Sequence, residues 1–400
     1  MSIFTYTGVK AGKKVKGSVV ADTQEQAKAQ IETKGLQING LKEEAPKSGV
    51  MDRLLNRVSI VQKLFFTQNL EVMIRTGFSL SLALQTLAQQ ISNKRFQWII
   101  AQMTSDVRSG KTFASALEKH KDVFSEVFVS MIATGESSGK LQEVLKRLAV
   151  QLKKDHLLVA KVKNALTYPV IVVVAMVAIG IAVTVFVVPK LVTVFEESNV
   201  ELPLPTKILI TTSDVLIHYG YLIAIGVALA VVGFLRLLKL NKVRYTMDRL
   251  ILKLPIAGQI VKKIHLAQLT RTLSSLLETD IHIVESFQII ARTMSNSQYR
   301  LAIEQAAEKL KTGSTIATVL GEHPDLFTPI LIQMVTVGEQ SGSLDQIANE
   351  VADFYESDVD DTMSNLSTII EPILMLLLGG AVALLAVSII LPIYQLTEAI

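Results

Sequence analysis

The sequence predicts an all-α membrane protein in which one helical unit occurs twice. Residues 66–195 recur, without a gap, 203 positions later. Each copy begins polar and ends in a long apolar stretch. Because the period is far too long for a solenoid, it indicates a duplicated domain. We therefore expect two cytoplasmic helical bundles of about six helices each, three transmembrane helices and a small β-rich N-terminal element.

The duplication rests on identical residues at matched positions. The run Gly135-Glu136-x-Ser138-Gly139 returns as Gly338-Glu339-x-Ser341-Gly342. Other matched pairs are Leu70 and Leu273, Gly110 and Gly313, Asp155 and Asp358, Pro169 and Pro372, and Pro189 and Pro392. Apolar residues near these positions keep the spacing of one buried helix face, as from Leu141 to Leu152. Each repeat is therefore predicted to contain helices only.

The first 60 residues differ from the repeats. Residues 1–45 are predicted to form a small β/α element, because Phe4 and Tyr6 alternate with polar residues. A helix over about 24–34 is expected to complete it. Residues 46–60 mix charges with proline, serine and glycine, which is typical of a linker.

Three apolar stretches predict transmembrane helices. The chain is 50% hydrophobic and 19% charged, and its mean hydropathy is +0.40. Each stretch has at least ~20 residues, enough to cross a hydrocarbon core of ~30 Å. The predicted spans are residues 167–189, 215–235 and 371–394.

Basic residues near the spans predict the orientation. Six lysines or arginines precede the first span closely and six follow the second, whereas the segment between them holds only Lys190 and Lys207. Cytoplasmic flanks carry the excess of basic residues. The predicted cytoplasmic helical domains are 61–166 and 236–370, and the predicted extracytoplasmic segments are 190–214 and 395–400. No signal peptide is evident at the N-terminus.

Composition excludes several functions. The absence of cysteine excludes disulfides, thiolate metal sites and a cysteine nucleophile. The net charge of +4 is small, and topology explains the basic clusters, so no nucleic-acid partner is expected. The spans carry no interior charged residue, which disfavours a transporter.

Two motifs resemble catalytic sites but lack their context. Ser109-Gly110-Lys111-Thr112 ends like a phosphate loop, but Ser105 stands at the first glycine position and no strand is predicted before it. The Gly135–Gly139 run matches a hydrolase nucleophile elbow, but helix precedes helix here. His120 and His323 have no second histidine at ligand spacing, so loop roles are expected. We expect no enzymatic activity, no cofactor and no metal.

Three groups of residues remain as candidate sites. Gly135, Glu136, Gly139, Gly338, Glu339 and Gly342 are predicted to form paired helix-ending turns that serve structure or a partner contact, with each carboxylate near the N-terminus of the following helix. Pro169 and Pro372 are predicted in the first turns of their spans, shaping membrane entry. The third group is an acidic run that could face a partner or bind a cation: Asp353, Glu356, Asp358, Asp360 and Asp361.

Taken together, the motifs resemble the GspF/PilC family of inner-membrane platform proteins of type IV pilus and type II secretion machines. The residues that carry the likeness are the paired Gly-Glu turns, Leu166-Thr167-Tyr168-Pro169, Val187-Val188-Pro189, Glu201-Leu202-Pro203, Leu269-Thr270-Arg271-Thr272-Leu273 and Glu371-Pro372, together with the opening Phe4-x-Tyr6 and Gly12-Lys13-x-Val15-x-Gly17. Two positions depart from the family pattern: Gln68 stands where an arginine like Arg271 is usual, and Asp280 stands where a glycine like Gly77 is usual.

The resemblance implies a non-enzymatic organiser in the bacterial inner membrane. The implied partners are a hexameric assembly ATPase, a retraction ATPase, pilin or pseudopilin subunits, other inner-membrane assembly proteins and further copies of the chain, as a dimer or higher homo-oligomer. A type IV pilus platform is favoured. A type II secretion platform stays open as the alternative, and a transporter component as a distant one.

Overall fold

The computed structural model describes residues 2–10, 13–21, 28, 31, 37–43, 57–189, 204–238 and 240–398. The predicted linker therefore lies outside the described residues except at its end, as does most of the predicted helix over 24–34 and of the loop 190–214. The chain divides into two compact units. One contains Met1–Leu157 with Ile264–Tyr355, and the other contains Leu158–Lys263 with Glu356–Ile400.

Near the N-terminus, three strands form an antiparallel sheet. They are β1 (Ser2–Lys10), β2 (Lys13–Ala21) and β3 (Gln37–Glu43). β1 is the central strand and pairs with both neighbours. The pairing of β1 with β3 shifts register between Thr7 and Gly8.

The first repeat is a helical bundle. Its helices are α1 (Ile60–Arg75), α2 (Leu80–Gln90), α3 (Lys94–Arg108), α4 (Phe113–Glu118), α5 (Glu126–Ser137) and α6 (Leu141–Ala182). Side chains of Ser59, Ser79, Asn93, Thr112 and Ser125 accept hydrogen bonds from the first turns of α1 to α5. The core centres on Phe66, Phe96 and Phe124, whose ring centroids lie 5.6 to 6.2 Å apart.

In the described part of the segment between the repeats, two helices are present, and the second repeat copies the first. The connecting helices are α7 (Leu204–Leu237) and α8 (Asn241–Lys253). The second repeat contains α9 (Ala257–Leu277), α10 (Ile283–Thr293), α11 (Ser297–Lys311), α12 (Ile316–Gly321), α13 (Pro329–Ser341) and α14 (Leu344–Glu398). Tyr299 is fully buried against Phe327 and donates its hydroxyl to the Leu326 carbonyl at 2.8 Å. The six helices of each repeat agree with the predicted bundles.

Among the described residues, three helices are long and apolar enough to cross a membrane: Leu141–Val187, Thr206–Leu237 and Leu344–Ile390. The chain is thus a multi-pass membrane protein with a duplicated helical domain. The first and third apolar stretches are not separate helices, because α6 and α14 run unbroken from each bundle into them.

This continuity corrects the expectation for the two prolines. Pro169 lies in the interior of α6 and Pro372 in the interior of α14, not in the first turn of a new helix. The reason is that hydropathy marks where the environment of a helix changes, whereas only a backbone break would start a new helix. Each proline therefore removes one interior N–H donor, a position where a bend is favoured.

Within the second unit, hydroxyl side chains join the apolar helices. α6 passes into a π-helical turn at Val183–Val187, and Ser213 of α7 donates its hydroxyl to the Thr184 carbonyl at 2.6 Å. Thr206 at the start of α7 donates to the Ser388 carbonyl of α14 at 2.8 Å. Hydroxyls that bond across helices satisfy carbonyls that have no water to bind in a membrane.

Candidate interaction site

The paired Gly-Glu turns contain glycines of two kinds. Gly139 and Gly342 follow α5 and α13 with φ of +71° and +73°, a left-handed conformation that favours glycine, as predicted. Gly135 and Gly338 instead lie inside α5 and α13. A Cβ on Gly135 would lie 2.7 Å from Cγ2 of Val144. The prediction that Gly135 and Gly338 end their helices is therefore wrong: at both positions the missing side chain lets consecutive helices pack closely.

The carboxylates of these turns cap a different helix from the one predicted. Glu136 accepts hydrogen bonds from the backbone N–H groups of Phe113 at 2.7 Å and Ala114 at 3.0 Å. These are the first two residues of α4, not the start of α6. Sequence reasoning placed the carboxylate on the helix next in the chain because it could not see that α4 and α5 pack together.

The second repeat reproduces this cap. Glu339 accepts from the N–H of Ile316 at 2.6 Å and of Ala317 at 3.0 Å, at the start of α12. α4 and α12 have six residues each, so unpaired terminal N–H groups make up much of their backbone. The N-cap threonine of each helix accepts a further N–H, at 3.2 Å in α4 and 3.3 Å in α12. A negative charge at a helix N-terminus adds favourable electrostatics.

The Gly-Lys-Thr run has structural partners. Gly110 has a φ of +86° in the turn after α3, and Thr112 caps α4. Lys111 and Lys119 bind the two carboxylate oxygens of Asp106 at 2.7 and 2.5 Å. Hydrogen bonds from these two lysines hold the pKa of Asp106 below its usual range. A helix, and not a strand, precedes the run, so the geometry is that of a helix-to-helix turn.

The two matched histidines close equivalent turns. The His120 carbonyl accepts from the N–H of Val123 at 2.9 Å and of Phe124 at 3.0 Å, and the His323 carbonyl accepts from the matching residues. The His120 ring is buried and packs in a T-shaped arrangement with Trp98, at 6.1 Å between centroids. Burial lowers the pKa of His120. The described residues contain no group of three side chains suited to holding a metal ion.

The acidic run binds cations of its own chain. Asp353 bonds to Arg271 at 2.5 Å and to Lys154 at 3.1 Å. In the second unit, Asp358 bonds to Lys263 at 2.6 Å and Asp360 to Lys161 at 2.8 Å. The partner-facing role of this acidic run stays a prediction. Three of its carboxylates already pair with lysine or arginine side chains of the same chain, which reduces the negative charge of this surface.

The repeats differ at the position of Arg271, where the first repeat has Gln68. Arg271 is 93% buried, since its relative exposure is 7%, and it also donates to Oδ1 of Asn349 at 2.6 Å. At the matched positions of the first repeat stand Gln68, in place of Arg271, and Val150, in place of Asp353. The first repeat therefore lacks both the cation and its carboxylate, so no unpaired charge is buried there.

The two repeats pack on each other through unlike faces. α5 and α6 of the first repeat meet α9, α10 and Asp353 of α14 in the second, and we call this contact the inter-repeat interface. Its ion pairs are Glu126–Arg292, Arg147–Glu278, Lys140–Asp280 at 3.3 Å and Lys154–Asp353 at 3.1 Å. A polar cleft of about 410 Å³ lies within it. Sequence reasoning did not find this interface.

Comparison with known proteins agrees with the duplication. Residues 66–189 and 269–392 both match the family described as type II secretion system (T2SS), protein F. Residues 1–42 match the N-terminal domain of type II secretion system protein F.

Relatives are similar over the whole chain. The type IV pilus assembly protein PilC of Thermus thermophilus is 34% identical over 96% of this chain and 95% of its own. PilC of Myxococcus xanthus is 32% identical over 98% of this chain and 94% of its own. The type II secretion system protein F of Vibrio cholerae is 28% identical over 100% of this chain and 99% of its own. The duplicated helical domain, the three apolar helices and these full-length matches lead to one conclusion: the chain belongs to the GspF/PilC family.

Proposed function

We propose that this chain is the inner-membrane platform protein of a type IV pilus assembly machine. The observation that carries the proposal is full-length similarity to proteins named for pilus assembly, at 34% and 32% identity. A type II secretion platform is the second candidate, supported by a full-length relative at 28% identity. The higher identity favours the pilus.

The proposed location is the bacterial inner membrane, with most of the mass in the cytoplasm. The basic residues that flank the first two apolar stretches support this orientation. We assign residues 61–166 and 236–370 to the cytoplasm, and residues 190–214 and 395–400 to the outside. Residues 1–45 are proposed as a separate small β/α element, which the match of residues 1–42 to the family's N-terminal domain supports.

The proposed role is to couple a cytoplasmic motor to subunits in the membrane without catalysing a reaction. The motor would be a hexameric assembly ATPase, and the cargo would be pilin or pseudopilin subunits. α6 supports this role because one helix of 42 residues, ~60 Å long, belongs both to a polar bundle and to an apolar stretch. A displacement of the bundle by a partner would move the apolar part of the same helix. Self-association, as a dimer or higher homo-oligomer, is part of the proposal.

The two candidate functions are separated by a deletion strain. We expect loss of surface pili, counted by electron microscopy, while pilin still accumulates in the inner membrane and secreted enzymes still reach the medium. Expression of the intact chain should restore pili. Normal pili, together with enzymes that stay inside the cell and no longer reach the medium, would refute the pilus assignment in favour of secretion. Normal pili with normal secretion would refute both.

A further inference from the structure

The inter-repeat interface uses a different face of each repeat. A residue of the first repeat matches the residue 203 positions later, so α5 and α6 correspond to α13 and α14, and α9 and α10 correspond to α1 and α2. Because α5 and α6 bind α9 and α10, the interface is heterologous. Although Lys154 of α6 also pairs with Asp353 of α14, the contact leaves exposed α1 and α2 on the first repeat and, on the second, Ile330 of α13 with Glu350 and Phe354 of α14. Each of these helix pairs is homologous to a helix pair that the contact covers.

On the first repeat, the face outside this contact exposes apolar side chains, although β2 contacts part of α2. Val72 of α1 and Phe78 before α2 are 43% and 44% exposed. Their matched residues, Ser275 and Ile281, are buried in the second repeat. The uncovered face thus carries larger apolar side chains than its covered counterpart, which is the reverse of what solvent exposure favours.

The uncovered face of the second repeat shows the same reversal. Ile330 of α13 and Phe354 of α14 are 47% and 49% exposed. Their matched residues, Val127 and Gln151, are buried and line the inter-repeat cleft. A phenylalanine on the surface therefore stands where a glutamine is buried, which indicates that a further surface covers it.

Charge links the two uncovered faces. Arg147 of the first repeat pairs with Glu278 of the second across the interface. The residue matched to Arg147 is Glu350, on α14, and the residue matched to Glu278 is Arg75, at the end of α1. The matched positions thus carry the opposite charges, and Glu350 and Arg75 would again form a complementary ion pair if they met. Arg75 is 55% exposed at its side chain and its carboxylate partner, Glu71, lies one turn away on α1, so the guanidinium can reach a second carboxylate.

We propose that a second copy of this chain covers these faces. α13 and α14 of one chain dock on α1 and α2 of its neighbour, in the arrangement that α5 and α6 adopt on α9 and α10 within a chain. The proposal deepens the self-association proposed above and rests on it. A heterologous contact joins successive chains head to tail, so the assembly closes into a ring when the rotation between repeats allows it.

Engineered cysteines test the contact, because the natural chain has none. Two differently tagged chains, Arg75→Cys and Glu350→Cys, are expressed together in membranes and treated with a short bis-maleimide. The pair Arg147→Cys and Glu278→Cys within one chain calibrates the reach of the reagent, because it should link internally. Glu308→Cys on α11, 70% exposed at its side chain, replaces Glu350→Cys as the matched control.

The expected result is a cross-linked product that contains both tags, at least tenfold above that of the Glu308→Cys control. A chain that carries both Arg75→Cys and Glu350→Cys should give a ladder of multimers. Equally strong linkage of Arg75→Cys to itself would show a twofold contact and overturn the proposal. Linkage of either position to a different protein instead would overturn it as well.

A lysine-reactive cross-linker tests self-association separately from the faces assigned to it. If that reagent links the chains but the mixed cysteine pair does not react, self-association stands and the assigned faces are wrong. If neither reagent links the chains, self-association and the assigned faces both fall. The pilus count in the deletion strain is independent of both outcomes.

Discussion

Glu136→Gln should loosen the first repeat at one defined point. The substitution keeps the size of the side chain but removes its charge and turns one acceptor oxygen into an N–H₂ donor. The two backbone donors of Phe113 and Ala114, now at 2.7 and 3.0 Å from carboxylate oxygens, would share one remaining acceptor. A hydrogen bond to a charged group contributes about 1.5–3 kcal/mol, so we expect a loss of about 2 kcal/mol at the start of α4.

Hydrogen exchange measured by mass spectrometry can detect this loss of stability at the start of α4. A local opening that becomes easier by about 2 kcal/mol speeds amide exchange about 30-fold in the peptide that contains Phe113 and Ala114. The second repeat provides the control within the same molecule, because the peptide of Ile316 and Ala317 keeps its own cap from Glu339. Glu339→Gln should give the mirrored pattern.

Two results would refute this reasoning. Unchanged exchange at the start of α4 in Glu136→Gln would mean that the carboxylate does not hold this helix. If both variants kept wild-type exchange and yet failed to assemble pili, the carboxylates would be partner contacts and not caps.

Further predictions concern packing, backbone strain, pH and topology. Gly135→Ala should lower stability by about 1–3 kcal/mol in thermal unfolding, since its Cβ would lie 2.7 Å from Cγ2 and 2.9 Å from Cβ of Val144; Val144→Ala in the same chain should restore only part of it, because the Cβ of residue 144 remains. Asp280 has a φ of +62°, so Asp280→Ala should cost about 1 kcal/mol while Asp280→Gly, which loses the same side chain, costs less in the same assay. Burial lowers the pKa of His120, so as the pH falls the unfolded chain takes up the proton of this histidine before the folded chain does. The free energy of unfolding should therefore fall below about pH 6.5, and fall less in His120→Leu. Trp98 fluorescence, beside His120, follows the unfolding. Alkaline phosphatase fused near residue 205 should be active and near residue 300 inactive; the opposite pattern would invert the proposed orientation.

The features that the sequence predicted well are those encoded locally or by repetition. The 203-residue offset predicted two bundles of the same helices, and hydropathy found the three apolar stretches that the structure shows as helices. The left-handed turns at Gly139 and Gly342 follow from glycine at a helix end.

The features that it missed depend on tertiary packing. Glu136 lies 22 and 23 positions from the amides it binds, and nothing in the local pattern chooses α4 over α6. The inter-repeat interface could have been suspected from unequal matched pairs, such as buried Gln151 against exposed Phe354, but only once their burial was known. Continuous helices through Pro169 and Pro372 were missed because hydropathy reports on surroundings and not on backbone breaks.

The most direct test of the account is site-specific photo-cross-linking in living cells. A photoreactive residue is placed at exposed positions of each bundle, or at exposed positions of the apolar parts of α6 and α14, and the captured proteins are identified by mass spectrometry. If the chain is a platform, the bundle positions should capture the assembly ATPase and the apolar positions should capture pilin, from the same population of chains. Capture of neither protein, or of both from one side of the membrane only, would contradict a platform that joins a motor to its cargo.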